Sequence, residues 1–488
     1  MTERSKDLLL AAVCLLLASV IVFFITRGMV PVAAAICVAP FLGYAVAKAF
    51  DDRVLSLSFL LVVSFVIPVA AHYLYSVPTG LFMDALVVFN LTVMLCSAMN
   101  GKRSRNHLTP DLIIAIGVWV LYCFLEVFNP NARIGVWFNS MRGVALYFIL
   151  VVIIVQLAIE DFDQLMKVLG LWSVLIMVAF LKMMYQRFVG WTPGDSYFLN
   201  VLDGKRTHII YYGTRFFSIY SDAANCGGGM GVAAAVYAVL GLHDDRIMHR
   251  IWWFIVAACA LVGMFLSGTR SALPVPVAAI LVYLVLNKNV RLMVPVGLAL
   301  ALAVGILAFT DIGQSNTFIR RARTIFEKNE DPSYLLRKQN QAELRKILKT
   351  MPFGNSLGMS AGRAQKHGDY GPVTYYPTDS WLVFIWVETG IVGLICYLLV
   401  MAYILMKGCW IIFFQLKDKK LIGIMAGLMG GVFGLLVMST NNEVLQIPNN
   451  IFLFLSLAVI FTSPQLEARM QAKQIENGKE SIVHNGGL

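Results

Sequence analysis

Arg215, Arg270 and Asp379 carry the chemistry most suited to a reaction at a membrane surface. Arg215 lies in Gly213-Thr-Arg-Phe-Phe217, just before the stretch 218–225 that opens an apolar run. Arg270 lies in Ser267-Gly-Thr-Arg-Ser-Ala272, a very short turn between two apolar runs, with Pro274 and Pro276 beginning the next helix. A guanidinium is a planar fork of donors that matches phosphate oxygens. Charge beside hydrocarbon is costly and generally functional, and a helix start adds free N–H groups for an anion. The ordinary alternative for both arginines is a headgroup anchor, and the sequence leaves the two roles open. Asp379 is flanked by Thr378 and Ser380, directly before the apolar run that starts at Trp381. All three are good N-cap residues, so capping competes with proton transfer for Asp379. Glu388, further into that run, suits a substrate contact or a structural partner for a buried arginine. Glu126, Asn129, Pro130 and Arg142 frame an earlier polar loop, where Arg142 is a third candidate phosphate contact.

These residues must be held by a membrane domain. The 488-residue chain is 59% hydrophobic and only 14% charged, against about 45–50% and about 25% for soluble domains. Apolar runs fall at 8–26, 30–48, 54–72, 81–99, 110–128, 143–159, 164–186, 223–241, 251–267, 272–287, 292–311, 381–406, 420–439 and 447–463. Each has the length a helix needs to cross hydrocarbon, which predicts an all-α polytopic membrane protein with about 14 spans, or 12 to 14. The run from 381 contains Gly390 and Gly393 and reads as a short first segment followed by a full crossing. The N-terminal run is too long for a signal peptide and is read as a retained span. The divisions expected are a membrane domain over 1–311, a large polar loop over 312–380, the last spans over 381–463 and a polar tail over 464–488.

Lysine and arginine in the short loops put both termini in the cytoplasm: Lys48, Arg53, Lys102, Arg103, Arg105, Arg246, Arg250, Lys288, Arg291 and Lys417 all fall on one side. The long segments 129–142, 187–222 and 312–380 fall on the other. Between 312 and 378 eleven basic residues face five acidic ones, a net of +6. That is ordinary solvation or an electrostatic funnel for an anionic, membrane-bound substrate. Nucleic acid is an improbable partner on that side. Within the loop, 333–349 reads as an amphipathic helix with Leu335, Leu336, Leu344, Ile347 and Leu348 on one face and Arg337, Lys338, Arg345, Lys346 and Lys349 on the other, suited to the bilayer surface. Gly227, Gly228, Gly229 and Gly231 lack the strand and the Lys-Ser/Thr of a phosphate loop and fit close helix packing. Eight cysteines are scattered singly and the histidines have no ligand spacing, so neither a disulfide framework nor a metal site is indicated.

The ordered set Gly213-Thr-Arg-Phe-Phe…Asn225, Ser267-Gly-Thr-Arg-Ser-Ala272, Arg337…Pro352-Phe-Gly354…Leu357-Gly358 and Asp379-Ser380-x-Leu382…Glu388-Thr-Gly-Ile-Val-Gly393 resembles the O-antigen ligase/polymerase superfamily of Wzy- and WaaL-type membrane glycosyltransferases, over roughly residues 120–400. The resemblance implies a donor glycan linked through diphosphate to a polyprenol, a glycan or lipid acceptor, no cofactor and no metal. It implies work on the extracytoplasmic face of a bacterial inner membrane, among membrane lipids and polysaccharide assembly proteins. Arg215 and Arg270, helped by Arg142, Arg320, Arg321 and Arg337, would hold the diphosphate, and Asp379 would accept or orient the acceptor's proton. In the family's ligases a histidine stands nine residues before the Glu of Glu-x-Gly; here that position is Asp379. The departure favours a surface-polysaccharide polymerase over a ligase to lipid A core or protein. A transporter or flippase of lipid-linked glycans is the rival from another class. It is expected to place charges along mid-membrane helices and often to show repeats, whereas Asp84, Glu126 and Glu388 are among the few in-span charges here.

Overall fold

The computed structural model describes residues 43–485, apart from 74–77, 102–103, 105, 211–212, 289, 314–319, 321–322 and 324–331. The expected span 8–26 and most of 30–48 therefore lie outside the described residues. Each of the other twelve expected spans coincides with a helix. Among the described residues ten helices are long and apolar enough to cross a membrane, and Arg270–Leu286 is a shorter apolar one. The protein is an all-α polytopic membrane protein. Successive helices run in alternate directions, so 129–133, 189–222, 267–273, 310–380 and 440–448 gather on one face, the loop face.

The core is built on the helix Ala223–His243, which packs against Ile247–Leu266, Pro274–Leu286 and Lys419–Ser439. Small residues make this approach possible. A Cβ on Gly227 would lie 2.5 Å from Ser267 Oγ, and one on Gly430 would lie 2.3 Å from the Ala279 carbonyl oxygen. The glycine run therefore does the packing work its sequence suggests.

Two expected boundaries move. The span expected at 143–159 starts at Ile134, because Ile134–Met141 is already helical and joins Tyr147–Ala158 through a π turn at Arg142–Leu146. The last helix runs through Pro464 to Asn485 instead of ending near 463.

The helix Trp381–Trp410 is broken at Gly390, whose φ of 66° and ψ of −171° leave the helical region. A break inside a membrane span frees backbone groups that lipid cannot satisfy. The polar loop satisfies them. Asn355 N–H donates to the Val387 carbonyl at 2.9 Å, Val392 N–H donates to the Pro352 carbonyl at 3.2 Å, and Tyr122 Oη donates to the Thr389 carbonyl at 2.8 Å. The fit is tight enough that Cβ atoms are forbidden on both sides: one on Gly390 would meet Pro352 O at 2.0 Å, and one on Gly354 would meet Gly390 N at 2.4 Å. Asn129 joins this seam, its Nδ2 donating to Glu126 at 3.0 Å and to the Phe353 carbonyl at 3.0 Å. The expected short segment followed by a crossing is thus the docking point of the large loop.

The amphipathic helix of that loop spans Pro332–Leu348. Its apolar face does not rest wholly on lipid, as expected, because Leu344 and Leu348 are buried against Val383 and Val387 with Ile347 alongside. Only its first turn keeps apolar side chains outward, with Leu335 49% and Leu336 58% exposed.

Candidate active site

Arg215 enters on the loop before the Ala223–His243 helix. That loop is pinned by His208, whose Nε2 accepts from Ala223 N–H at 3.1 Å while Nδ1 bonds the Gly204 carbonyl at 2.9 Å. This assigns the neutral tautomer, and burial lowers the pKa of His208 in agreement. The Arg215 guanidinium donates to Thr269 Oγ1 at 2.8 Å and to the Thr207 carbonyl at 3.0 Å. Thr269 is fixed in turn by donating to the Ala223 carbonyl at 2.9 Å. The Thr-Arg pair of the 267–272 turn thereby sets both arginines: Thr269 grips Arg215, and Arg270 follows in the chain. Burial lowers the proton affinity of Arg215, Asp222 raises it, and neighbouring Arg270 and Arg337 lower it further. Three cations from three separate segments thus converge, and among the described residues Arg215 Nε is buried without a hydrogen-bond partner.

Asp222 is the counter-charge. It caps the central helix by accepting from Ala224 N–H at 2.7 Å and Asn225 N–H at 2.9 Å. Asn225 donates back to it at 2.7 Å and also to the Glu443 carbonyl at 3.3 Å. The connection after Lys419–Ser439 is thereby drawn into the site. Arg337 Nη1 donates to the Asn441 carbonyl at 3.1 Å, and Ser271 donates to Asn442.

Asp379 does not cap its helix. Ser380 takes that role, its side chain accepting from Val383 N–H at 3.2 Å. Asp379 is left half-buried at the wall of a cavity of about 530 Å³, beside Arg337, Arg345 and Lys349. Burial raises its pKa above the usual carboxylate range, while Arg337 and a hydrogen bond to Asn340 pull it back.

A second carboxylate, Glu443, stands with it and was missed in the sequence, where it is one acid in a short polar turn. It accepts from Thr378 and, at 2.8 Å, from Arg363. Burial raises its pKa, Arg363 and Thr378 lower it, and Asp222 and Asp379 raise it. Arg363, also passed over in the sequence, sits 4.3 Å from the ring centre of Phe384 and reaches Glu388 at 3.6 Å. Glu388 is fully buried and accepts from Ser360 at 2.6 Å and Ser140 at 3.3 Å. Its arginine partner, Arg363, is exposed rather than buried.

The remaining expected contacts divide. Arg337 is in the cluster. Arg142 is committed elsewhere: it is ion-paired with Asp84 and donates to Asn139 at 3.0 Å. That pairing gives the guanidinium a structural partner. An in-span acid such as Asp84 needs a cation for its own sake. Arg320 is exposed, and Arg321 lies outside the described residues. His367 lines a separate cavity of about 380 Å³ with Arg363, Trp381 and Phe384. Among the described residues no three His, Cys, Asp or Glu are grouped to hold a metal.

The fold and site define a multi-pass membrane protein with a basic, loop-covered cluster that suits a phosphate-linked substrate. Residues 229–398 match the family described as O-antigen ligase, and this match supports the resemblance to the O-antigen ligase/polymerase superfamily. The matched stretch contains Arg270, Arg337, Asp379 and Glu388, while Arg215 and Glu443 lie outside it. No curated protein matches the chain. The match supports a membrane glycan ligase or polymerase in general terms.

Proposed function

We propose that the protein is a polymerase that lengthens a surface polysaccharide on the extracytoplasmic face of a bacterial inner membrane, with both termini in the cytoplasm. The observation that carries this reading is the convergence of Arg215, Arg270 and Arg337 beside Asp379. The donor is a glycan on polyprenyl diphosphate. The three arginines hold its diphosphate and take up the charge that develops on the leaving group. The acceptor hydroxyl attacks the anomeric carbon, so the new C–O bond forms as the bond to phosphate breaks. The polyprenyl diphosphate leaves with the electron pair, and the proton goes to Asp379.

A carboxylate at its ordinary pKa of about 3.9 is a weak base for a hydroxyl. Burial moves Asp379 in the useful direction. Alignment of the two sugars supplies much of the rest. Glu443, held by Thr378 and Arg363, orients the wall between the arginines and the aromatic cavity. The positive charge comes from guanidinium groups, so the reaction is written without a metal.

The family's description as O-antigen ligase favours a ligase as the second reading. The acidic residue at the histidine position of the ligases favours the polymerase. The decisive variant is Arg270→Ala, expected to insert normally and to abolish long-chain polymer in cells. Normal polymer from that variant sinks the arginine assignment. Asp379→Asn is expected to lose activity as well, and retained activity removes the base. Release of polyprenyl diphosphate by protein in detergent, with no sealed vesicle, separates a transferase from a flippase.

A further inference from the structure

The helix Pro332–Leu348 carries more positive charge than the site just described uses. Lys338, Arg345 and Lys349 follow one another at spacings of seven and four residues and share one face, with Arg337 and Lys346 flanking it on either side. That face lines the cavity of about 530 Å³, and its far wall is Asp379, Ser380, Thr440 and Asn441. Burial of Leu344 and Leu348 against Val383 and Val387 fixes the helix in this rotation. Lys346 is paired with Glu343 at 2.7 Å, and Arg337 belongs to the diphosphate cluster. Lys338, Arg345 and Lys349 have no carboxylate partner among the described residues. Like charges one turn apart weaken a helix, so an arrangement of this kind is relieved by an anion that lies along it.

The face is long. From Tyr334 to Lys349 it extends about 22 Å at the helical rise per residue, several times the span of a diphosphate. It is concave and closed on its far side by site residues, unlike a flat surface resting on lipid headgroups. We infer that this groove binds an extended anionic glycan through the carboxylates, phosphates or sulfates on its sugars, with the chain end delivered to Asp379. The inference rests on the transferase reading for the identity of the polymer, and it restricts the substrate class to acidic polysaccharide.

The test is binding without turnover. The full-length protein in phosphatidylcholine nanodiscs is titrated with a short oligogalacturonate and with a neutral maltooligosaccharide of equal length. Only the oligogalacturonate is expected to bind, and more weakly as salt is raised. Three exposed contacts reversed in K338E/R345E/K349E are expected to weaken it about tenfold or more. The uncharged K338Q/R345Q/K349Q is expected to weaken it less, in the same direction, with unchanged elution on size exclusion. Equal binding of the neutral sugar, or unchanged binding by both triple variants, overturns the proposal. Oligogalacturonate binding that vanishes when phosphatidylglycerol is added, with parent and variants alike in phosphatidylcholine, assigns the face to lipid headgroups and also overturns it. Arg270→Ala is expected to bind oligogalacturonate like the parent, so a failure of the diphosphate assignment leaves this result standing.

Discussion

The two faces of the membrane domain treat their cations differently. On the face opposite the large loop, several basic residues are matched with acids: Arg53 with Glu160, Lys407 with Asp111, Lys420 with Asp245, and Lys473 with Asp161 and Asp163. Arg469 donates to Asn106 at 2.6 Å. On the loop face, Arg215 is held by a hydroxyl and a carbonyl, and Lys338, Arg345 and Lys349 have no acid partner among the described residues. Paired charges on one face staple helices together. The loop face has ion pairs too, Arg363 with Glu443 and Lys346 with Glu343, but its cations held by neutral groups keep their field for a ligand. Arg142, near the loop side, is likewise paired with an acid, Asp84.

The comparison can be broken most sharply at Arg215. Arg215→Ala is expected to lower transfer about 10²–10³-fold, the usual loss for one donor to developing charge, with Arg215→Lys intermediate because it keeps charge and loses the fork. Release of polyprenyl diphosphate in detergent measures it, and a loss smaller than about threefold would erase the distinction between the faces.

A smaller effect sharpens the role of the carboxylates. Burial favours the neutral acid at Asp379 and Glu443, so both protonate at higher pH than exposed carboxylates. Base catalysis needs the ionised form, so kcat/KM should fall as pH falls, with its acid limb above the ordinary value of about 3.9. Asp379→Asn should remove that limb. Arg363→Ala withdraws a charge that favours ionised Glu443 and should raise the pKa of that group further. A limb at or below about 3.9 contradicts the assignment.

The smallest effect on chemistry is expected at Arg53→Ala on the opposite face. It removes one partner of half-buried Glu160 and should lower stability by about 1–3 kcal/mol, seen as a lower melting temperature in detergent. Transfer per folded molecule should not change, and a large loss would show that cations on both faces serve the reaction.

Much of this architecture was legible in the chain. Runs of about twenty apolar residues have one solution in hydrocarbon, a helix with its backbone bonds satisfied internally. The twelve expected spans that fall among the described residues were found for that reason. Arg215 and Arg270 announced themselves because charge at the edge of an apolar run is rare. Glu443 and Arg363 did not, because one acid or base in a polar loop carries no local signal. Their importance is a matter of which loops meet.

The sequence by itself determined the membrane class, the broken span at Gly390, the basic loop and the arginines at helix entrances, since each follows from local composition and spacing. Only the tertiary structure decided that Ser380 caps the helix and leaves Asp379 available, that Arg142 belongs to Asp84, and that the basic face of Pro332–Leu348 turns toward Asp379. Those outcomes depend on which of several chemically equivalent partners comes within hydrogen-bonding reach. Packing between segments up to a few hundred residues apart makes that choice, and short-range pattern holds no record of it.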